Sequence, residues 1–352
     1  MNTPATRRVL LGVALTITTL TSTPALSAQH FAHDRGKIVV ANRGSGDLSV
    51  LSAQSGRVLR TVALPKKNDV AGEPMYVSSA GREVLVGDRQ HDRVVRFDAR
   101  TFRVLGDYPA GKGVFHQWTD GHRLWVNNDV DNTTTVIDLH RHRVLHTIAM
   151  PQDLVNDGYK NHDVFTAYGF AWISMIKSNA DGYVILYSGR TFQPIRRAKV
   201  GGDPHLWFDP WTTTLIVPSQ DAGRVDSLDP LALTKKSSLD IPGAHGIYSP
   251  HFSRALYVTN ITGSGQDDLY NVRLGFWRAD PKVVSKASTG SNVAHNITAN
   301  SWGTRVFVSH SGGTSKTVSI HAPQGPFWAP TGTKLIGTVD VGLNPFGLAY
   351  VR

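Results

Sequence analysis

From residue 38 to the end, short apolar runs alternate with small polar turns, and the arrangement recurs. The first unit reads Ile38-Val39-Val40-Ala41-Asn42, then Leu48–Leu51, then Val58–Val62, with Gly and Ser between them. The second starts at Val84-Leu85-Val86-Gly87-Asp88 and continues through Arg93–Asp98 to Val104-Leu105. The third is Leu124–Asn128, Thr134–Asp138 and Val144–Ile148. Apolar and polar positions alternate with period two and β-branched residues abound, which predicts strands, and no sustained 3.6-residue period occurs beyond the first residues.

Further units start near Ala171, Leu215, Leu256 and Val306, so the unit starts lie 40 to 50 residues apart. That period, with three or four strands per unit, predicts propeller blades. The chain ends in Pro345-Phe346-Gly347-Leu348-Ala349-Tyr350-Val351, which matches the segment preceding each later unit, whereas the first unit has no such segment. The C-terminal strand is therefore expected to complete blade one and remove the open sheet edge. The reading is all-β: a seven-bladed β-propeller over residues 37–352 closed by the C-terminal strand.

The first 28 residues have a different pattern. Arg7 and Arg8 precede the apolar run Val9–Leu15, and small residues follow around Ala25-Leu26-Ser27-Ala28. This predicts an export signal at 1–28, twin-arginine or ordinary, then an N-terminal extension at 29–36. A periplasmic or secreted location follows, with no stable membrane span after cleavage, because the apolar run is too short to cross a bilayer.

Leu256-Tyr257-Val258-Thr259-Asn260 contains the tetrapeptide YVTN, and Val39–Leu64 is similar to the same repeat. On these segments the chain resembles the YVTN-repeat β-propellers. The resemblance implies the fold and says little about activity, since propellers serve many functions.

The segments ahead of each unit should be the innermost strands. Aligned on their proline and turn residues, they place Met75, His116, His162, His205, His245, His295 and Phe346 at one position around the ring. Strand side chains alternate, so five imidazoles are expected to converge on the central channel. Imidazole suits zinc and copper. The candidate metal ligands are therefore His116, His162, His205, His245 and His295, with Met75 as a soft thioether that would favour copper. Asp163 and Asp203, beside ring histidines, are candidates for orienting them. The alternative is a polar channel lining whose histidines bond carbonyls or water.

The ring resembles the copper-cluster domain of nitrous oxide reductases. Those enzymes use seven hub histidines and a second, cysteine-containing copper domain, whereas this chain has five histidines and no cysteine, so the resemblance does not carry reductase activity. The pattern is also similar to propeller-type periplasmic zinc chaperones, without their His-rich flexible segment. Streptogramin lyases and lactonases, which also act at propeller hubs, supply the enzymatic alternative, with a histidine as general base beside a metal.

Composition narrows these choices. The absence of cysteine excludes disulfides, thiolate nucleophiles and Cys-ligated zinc. Glu73 and Glu83 are the only glutamates, so Glu-pair hydrolysis has little to draw on. The net charge of +10 would suit a polyanion, but the basic residues are scattered, which argues against nucleic acid. A non-catalytic reading remains, with a protein or polymer partner on the propeller's top face. Trp118, Trp207, Trp211 and Trp302 are expected to pack between blades. His140, His142 and His146 are read as a solvated face, and His251 and His310 as surface residues that could add ligands.

Overall fold

Every repeat of the pattern becomes a four-stranded antiparallel sheet, and seven such sheets are arranged as a β-propeller in the computed structural model. The structure describes residues 34–251, 253–261, 267–274 and 281–352. The export signal at 1–28 and most of the extension at 29–36 lie outside them.

Blade 1 is built from Lys37–Asn42, Asp47–Ser52 and Val58–Ala63, with Pro345–Val351 as its innermost strand. The inner strands of blades 2 to 7 are Pro74–Ala80, Val114–Thr119, Lys160–Ala167, Trp207–Asp209, Ala244–Tyr248 and Ala294–Ala299. Their second strands are Glu83–Asp88, Arg123–Asn128, Phe170–Ile176, Thr214–Ser219, Ala255–Asn260 and Val306–His310. The expected ring closure is present: Lys37 pairs with Val351, Val39 with Ala349 and Asn42 with Pro345.

Burial explains the two kinds of strand in the sequence. Second strands lie between neighbouring blades, so both faces are covered: Ile38, Val39 and Val40 are all fully buried. Such strands read as continuous apolar runs. The outermost strands cover one face only, and Val58–Ala63 alternates between half-buried and exposed positions. The core lies between blades, as in the cluster joining Trp172, Leu206, Phe208, Leu215 and Val258 across blades 4, 5 and 6. Each such aliphatic side chain contributes about 1.5–3 kcal/mol on full burial. The one α-helix among the described residues is the short Gln152–Asn156, and no described helix is long and apolar enough to cross a membrane.

Candidate metal centre at the hub

In six of the seven inner strands the ladder slips by one residue at the same place. Pro74 faces Asp88 while Val77 faces Val86, and the same shift follows Val114, Asn161, Ala244, Ala294 and Pro345. Each slip is a β-bulge that turns two adjacent residues toward the channel. The first bulged residues are Met75, Phe115, His162, His245, His295 and Phe346. The second are Tyr76, His116, Asp163, Gly246, Asn296 and Gly347.

This corrects the alignment made from sequence. Phe115, not His116, is the equivalent of Met75 and His162, and His116 stands one residue further on. Blade 5 has no bulge: Pro204 bridges Ser219, Trp207 pairs with Ile216, and the His205 N–H donates to Pro218 O at 2.8 Å. His205 alone occupies the place that other blades fill with two residues.

The bulges leave backbone groups without ladder partners, and side chains from the second strands take over. Ser174 Oγ accepts the Asp163 N–H (2.9 Å), Thr259 Oγ1 that of Gly246 (3.0 Å) and Ser309 Oγ that of Asn296 (3.2 Å). Thr259 then donates to His295 O (2.9 Å), Ser309 to Phe346 O (2.6 Å) and Asn127 Nδ2 to His162 O (3.0 Å). His162, His295 and Phe346 are thus fixed by the preceding blade. Gly246 permits the close approach, since a Cβ there would lie 2.0 Å from the His295 carbonyl oxygen.

Four imidazoles and two carboxylates meet in the centre. His162 Nε2 and His205 Nε2 are 3.3 Å apart, and Asp203 Oδ1 lies 3.2 Å from the first and 4.0 Å from the second. His116 brings a ring nitrogen within 4.8 Å of ligand atoms of both histidines, and His245 stands in the same relation to His205 and Asp203. His205 belongs to both groups. Asp203 reaches this position from a left-handed backbone conformation (φ 50°), the kind of strain that concentrates at functional sites.

Asp163 acts from behind, as its sequence position suggested. Its Oδ1 is 2.9 Å from His116 Nδ1 and its Oδ2 is 3.7 Å from His205 Nδ1, while Oδ2 also accepts the Leu206 N–H at 2.8 Å. With Nδ1 held by a carboxylate, His116 turns Nε2 inward, and that buried atom has no hydrogen-bond partner in the protein; neither nitrogen of buried His245 has one. Asp203 differs from the expected orienting role, because it faces the Nε2 edges themselves.

Burial sets the protonation states. Desolvation pulls His116 down to about 4, holds His295 near 3 and lowers His245 well below the usual imidazole value. These imidazoles are neutral at pH 7, with lone pairs available. Burial also opposes charge on His162, but the facing Asp203 carboxylate outweighs it and raises that pKa. Burial pushes Asp163 and Asp203 up, yet the surrounding histidines hold both carboxyls well below the usual range.

The remaining predicted residues fall on the other arc. Met75 is fully buried in an apolar cluster with Tyr76, Phe346 and Phe115. The His295 ring lies 4.7 Å from His245 and 4.2 Å from Phe346, at the boundary between the arcs. His310 is not on the surface: it is fully buried, with Nδ1 at Asn292 O and Nε2 at Ser319 Oγ, both 2.9 Å. His140, His142 and His146 are exposed, as expected.

Directly over the centre lies a cavity of about 290 Å³ whose lining includes Tyr76, His116, Asp163, His205 and Asn296. Trp118, Trp207 and Tyr248 form its aromatic wall; the Trp207 ring centroid lies 5.6 Å from Trp118 and 5.2 Å from Tyr248. Trp211, by contrast, is more than half exposed in a turn and does not pack between blades. In blades 2 to 4 spacing marks the ring position: Met75, Phe115 and His162 each stand eight residues before the next strand, at Glu83, Arg123 and Phe170, whereas His116 stands seven before it. In blades 5 to 7 the loops lengthen and the spacing is nine to eleven.

The class these features define is a seven-bladed β-propeller with a polar, histidine-rich hub. Its fold is similar to the periplasmic gluconolactonase of Pseudomonas aeruginosa (TM-score 0.70, 16% identity, 90% of this chain and 99% of that one). A Bacteroides uniformis protein described as a candidate 6-phosphogluconolactonase is comparably similar (TM-score 0.70, 15% identity, 91% and 100%). So is a functionally unknown protein of Desulfotomaculum acetoxidans (TM-score 0.70, 13% identity, 90% and 99%). At these identities the likeness is one of fold alone. No protein-family model matches the chain, and no curated protein sequence matches it.

Proposed function

We propose that this chain is an exported propeller of the YVTN-repeat kind that binds a transition metal, copper or zinc, at its hub. His116, His162 and His205 supply the first ligands, with Asp203 and His245 extending the set. The observation that carries this reading is the convergence of buried imidazole nitrogens without protein partners on the His162–His205 pair. Two nitrogens bound to one tetrahedral ion at 2.0–2.1 Å lie about 3.3 Å apart, which is the spacing of that pair. The carboxylate behind His116 is the arrangement that fixes a metal-bound imidazole, and an N/O donor set suits zinc and copper.

Elemental analysis of untagged protein from the exported fraction tests this, beside a His162→Ala/His205→Ala variant. Near-stoichiometric copper or zinc, lost in the variant, is the expected result. Two metal-free proteins that take up neither ion on titration would overturn it, and would make the ring a channel lining and the chain a protein- or polymer-binding module. N-terminal sequencing of the exported protein locates the cleavage site.

A second reading, lactone hydrolysis or lyase chemistry at the same hub, is favoured by the cavity beside His116 and His205 and by the names of two structural neighbours. Here a bound metal would polarise the substrate while a histidine moves a proton. Lactone hydrolysis that survives in the wild type and disappears in His116→Ala with metal retained supports it.

A further inference from the structure

The cavity over the hub has a chemistry of its own. It is lined by five large aromatic rings, Tyr76, Trp118, Trp207, Tyr248 and Tyr350, and by polar side chains that include Gln117, Asn296 and Thr298. At about 290 Å³ it is near the lower end of small-molecule sites, which limits an occupant to one or two rings. None of its described lining residues is Lys or Arg. Its one formally charged side chain is Asp163, which is already engaged with His116, His205 and Leu206 N–H.

Besides Tyr76 Oη and His116 Nε2, two further lining side chains have polar atoms left over. The indole Nε1 of Trp207 and the amide Oε1 of Gln117 are buried and have no hydrogen-bond partner in the protein. Trp207 as a whole is 9% exposed and Gln117 5%. Gln117 is held in place because its Nε2 donates to Leu85 O at 2.8 Å. A buried donor and a buried acceptor left unpaired each carry a cost unless something fills the site. One is an N–H that can only donate and the other a carbonyl that can only accept.

We infer that this cavity binds a small, uncharged, ring-bearing molecule that accepts a hydrogen bond from Trp207 Nε1 and donates one to Gln117 Oε1. Flat rings stack favourably on indole and phenol faces. A phosphorylated ligand is disfavoured, because a buried phosphate needs Arg, Lys or a helix N-terminus to offset its charge, and here it would face Asp163. This departs from what the description of the Bacteroides uniformis neighbour would suggest. The inference deepens the hub reading, since a molecule so placed lies against His116 and His205.

The test measures binding by tryptophan fluorescence and calorimetry, on chelator-stripped protein and again after metal loading. The neutral probes are 2-pyridone and methyl β-D-glucopyranoside; the charged probe is 6-phosphogluconate. Metal content is measured on the same samples. The expected result is saturable binding of at least one neutral probe, no binding of 6-phosphogluconate to the stripped protein, and about five- to tenfold weaker neutral-probe binding in Trp207→Phe. Binding of 6-phosphogluconate to stripped protein as tightly as the neutral probes, or no binding of either neutral probe, overturns the inference. Because metal is assayed separately, neutral-probe binding without metal uptake sinks the metal reading alone, and metal uptake without probe binding sinks this one alone.

Discussion

Asp163 Oδ1 sits 2.9 Å from His116 Nδ1, so a carboxylate in blade 4 fixes the tautomer of an imidazole in blade 3. Its second oxygen holds the Leu206 N–H of blade 5. One side chain therefore couples three neighbouring blades at the point where the proposed ligands converge. Asp163→Asn should keep the fold, yet weaken copper or zinc binding by about 10- to 100-fold, the usual effect of losing a carboxylate behind a ligating histidine. Competition titration against a chelator of known affinity measures this. Unchanged affinity would mean that Asp163 only supports the backbone.

Gly246→Ala should destabilise the hub directly. The new Cβ would press on the His295 carbonyl oxygen and lie 2.7 Å from Thr259 Oγ1, and both contacts belong to fixed elements. Overpacking of this kind costs about 1–3 kcal/mol or more. Gly313→Ala is the matched control, because a Cβ there meets nothing within 4 Å and should change stability by less than about 0.5 kcal/mol. Thermal unfolding of the two variants decides it, with equal melting temperatures as the unfavourable outcome.

Removing residues 345–352 should abolish cooperative unfolding. Those residues carry the inner strand of blade 1, and without them the edge of Lys37–Asn42 is exposed along the pairing from Lys37 to Asn42. An unpaired edge invites association with other chains, so light scattering should rise as the calorimetric transition is lost. A truncated protein that stays monomeric with an unchanged transition would argue against closure as a stabilising element.

Acid should destabilise the protein even without metal. Burial, with a smaller contribution from His310, lowers His321 to about 4, and His310 is shifted in the same direction by its own burial. Above about pH 6.5 the histidine is neutral in both folded and unfolded chains and adds no pH dependence. Between about 6.5 and 4 the unfolded chain takes up a proton that the folded one refuses, so stability falls as pH falls. For His321 this amounts to at most about 3 kcal/mol. Urea unfolding of stripped protein at pH 7 and 4.5 should show the loss, and His321→Leu should show less of it. An identical pH dependence in the variant would place the effect elsewhere.

The fold was readable in the sequence because blade packing writes itself into composition. The apolar runs starting at Ile38, Val84, Leu124, Ala171, Leu215 and Leu256 each lie one residue inside a second strand, and the run at Val306 begins one. Covering both faces of those strands demands the apolar residues that mark them. The hub was only partly readable. His162, His245 and His295 lie on their inner strands and His205 just ahead of Trp207–Asp209, whereas His116 is the second member of its pair, because a bulge adds a residue without changing residue type. The cavity was not visible at all: Trp118 and Trp207 come together only through the curvature of the ring. Asp203 is legible as a sequence neighbour of His205, but its reach toward His162 Nε2 depends on a left-handed backbone that composition does not reveal.

The repeated bulge has a further consequence. Six blades offer the channel the same two-residue socket, and what fills the first place is a free choice among imidazole, thioether and phenyl, made separately in each blade. Because the histidine-bearing arc is contiguous, an ion held by the proposed set His116, His162 and His205 would lie nearer blades 3 to 5 than Met75 of blade 2 and Phe346 of blade 1. Ligand number can then change by single replacements at Phe115 or Phe346, with no rebuilding of the main chain, so nuclearity in such a ring is a variable of sequence and not of architecture.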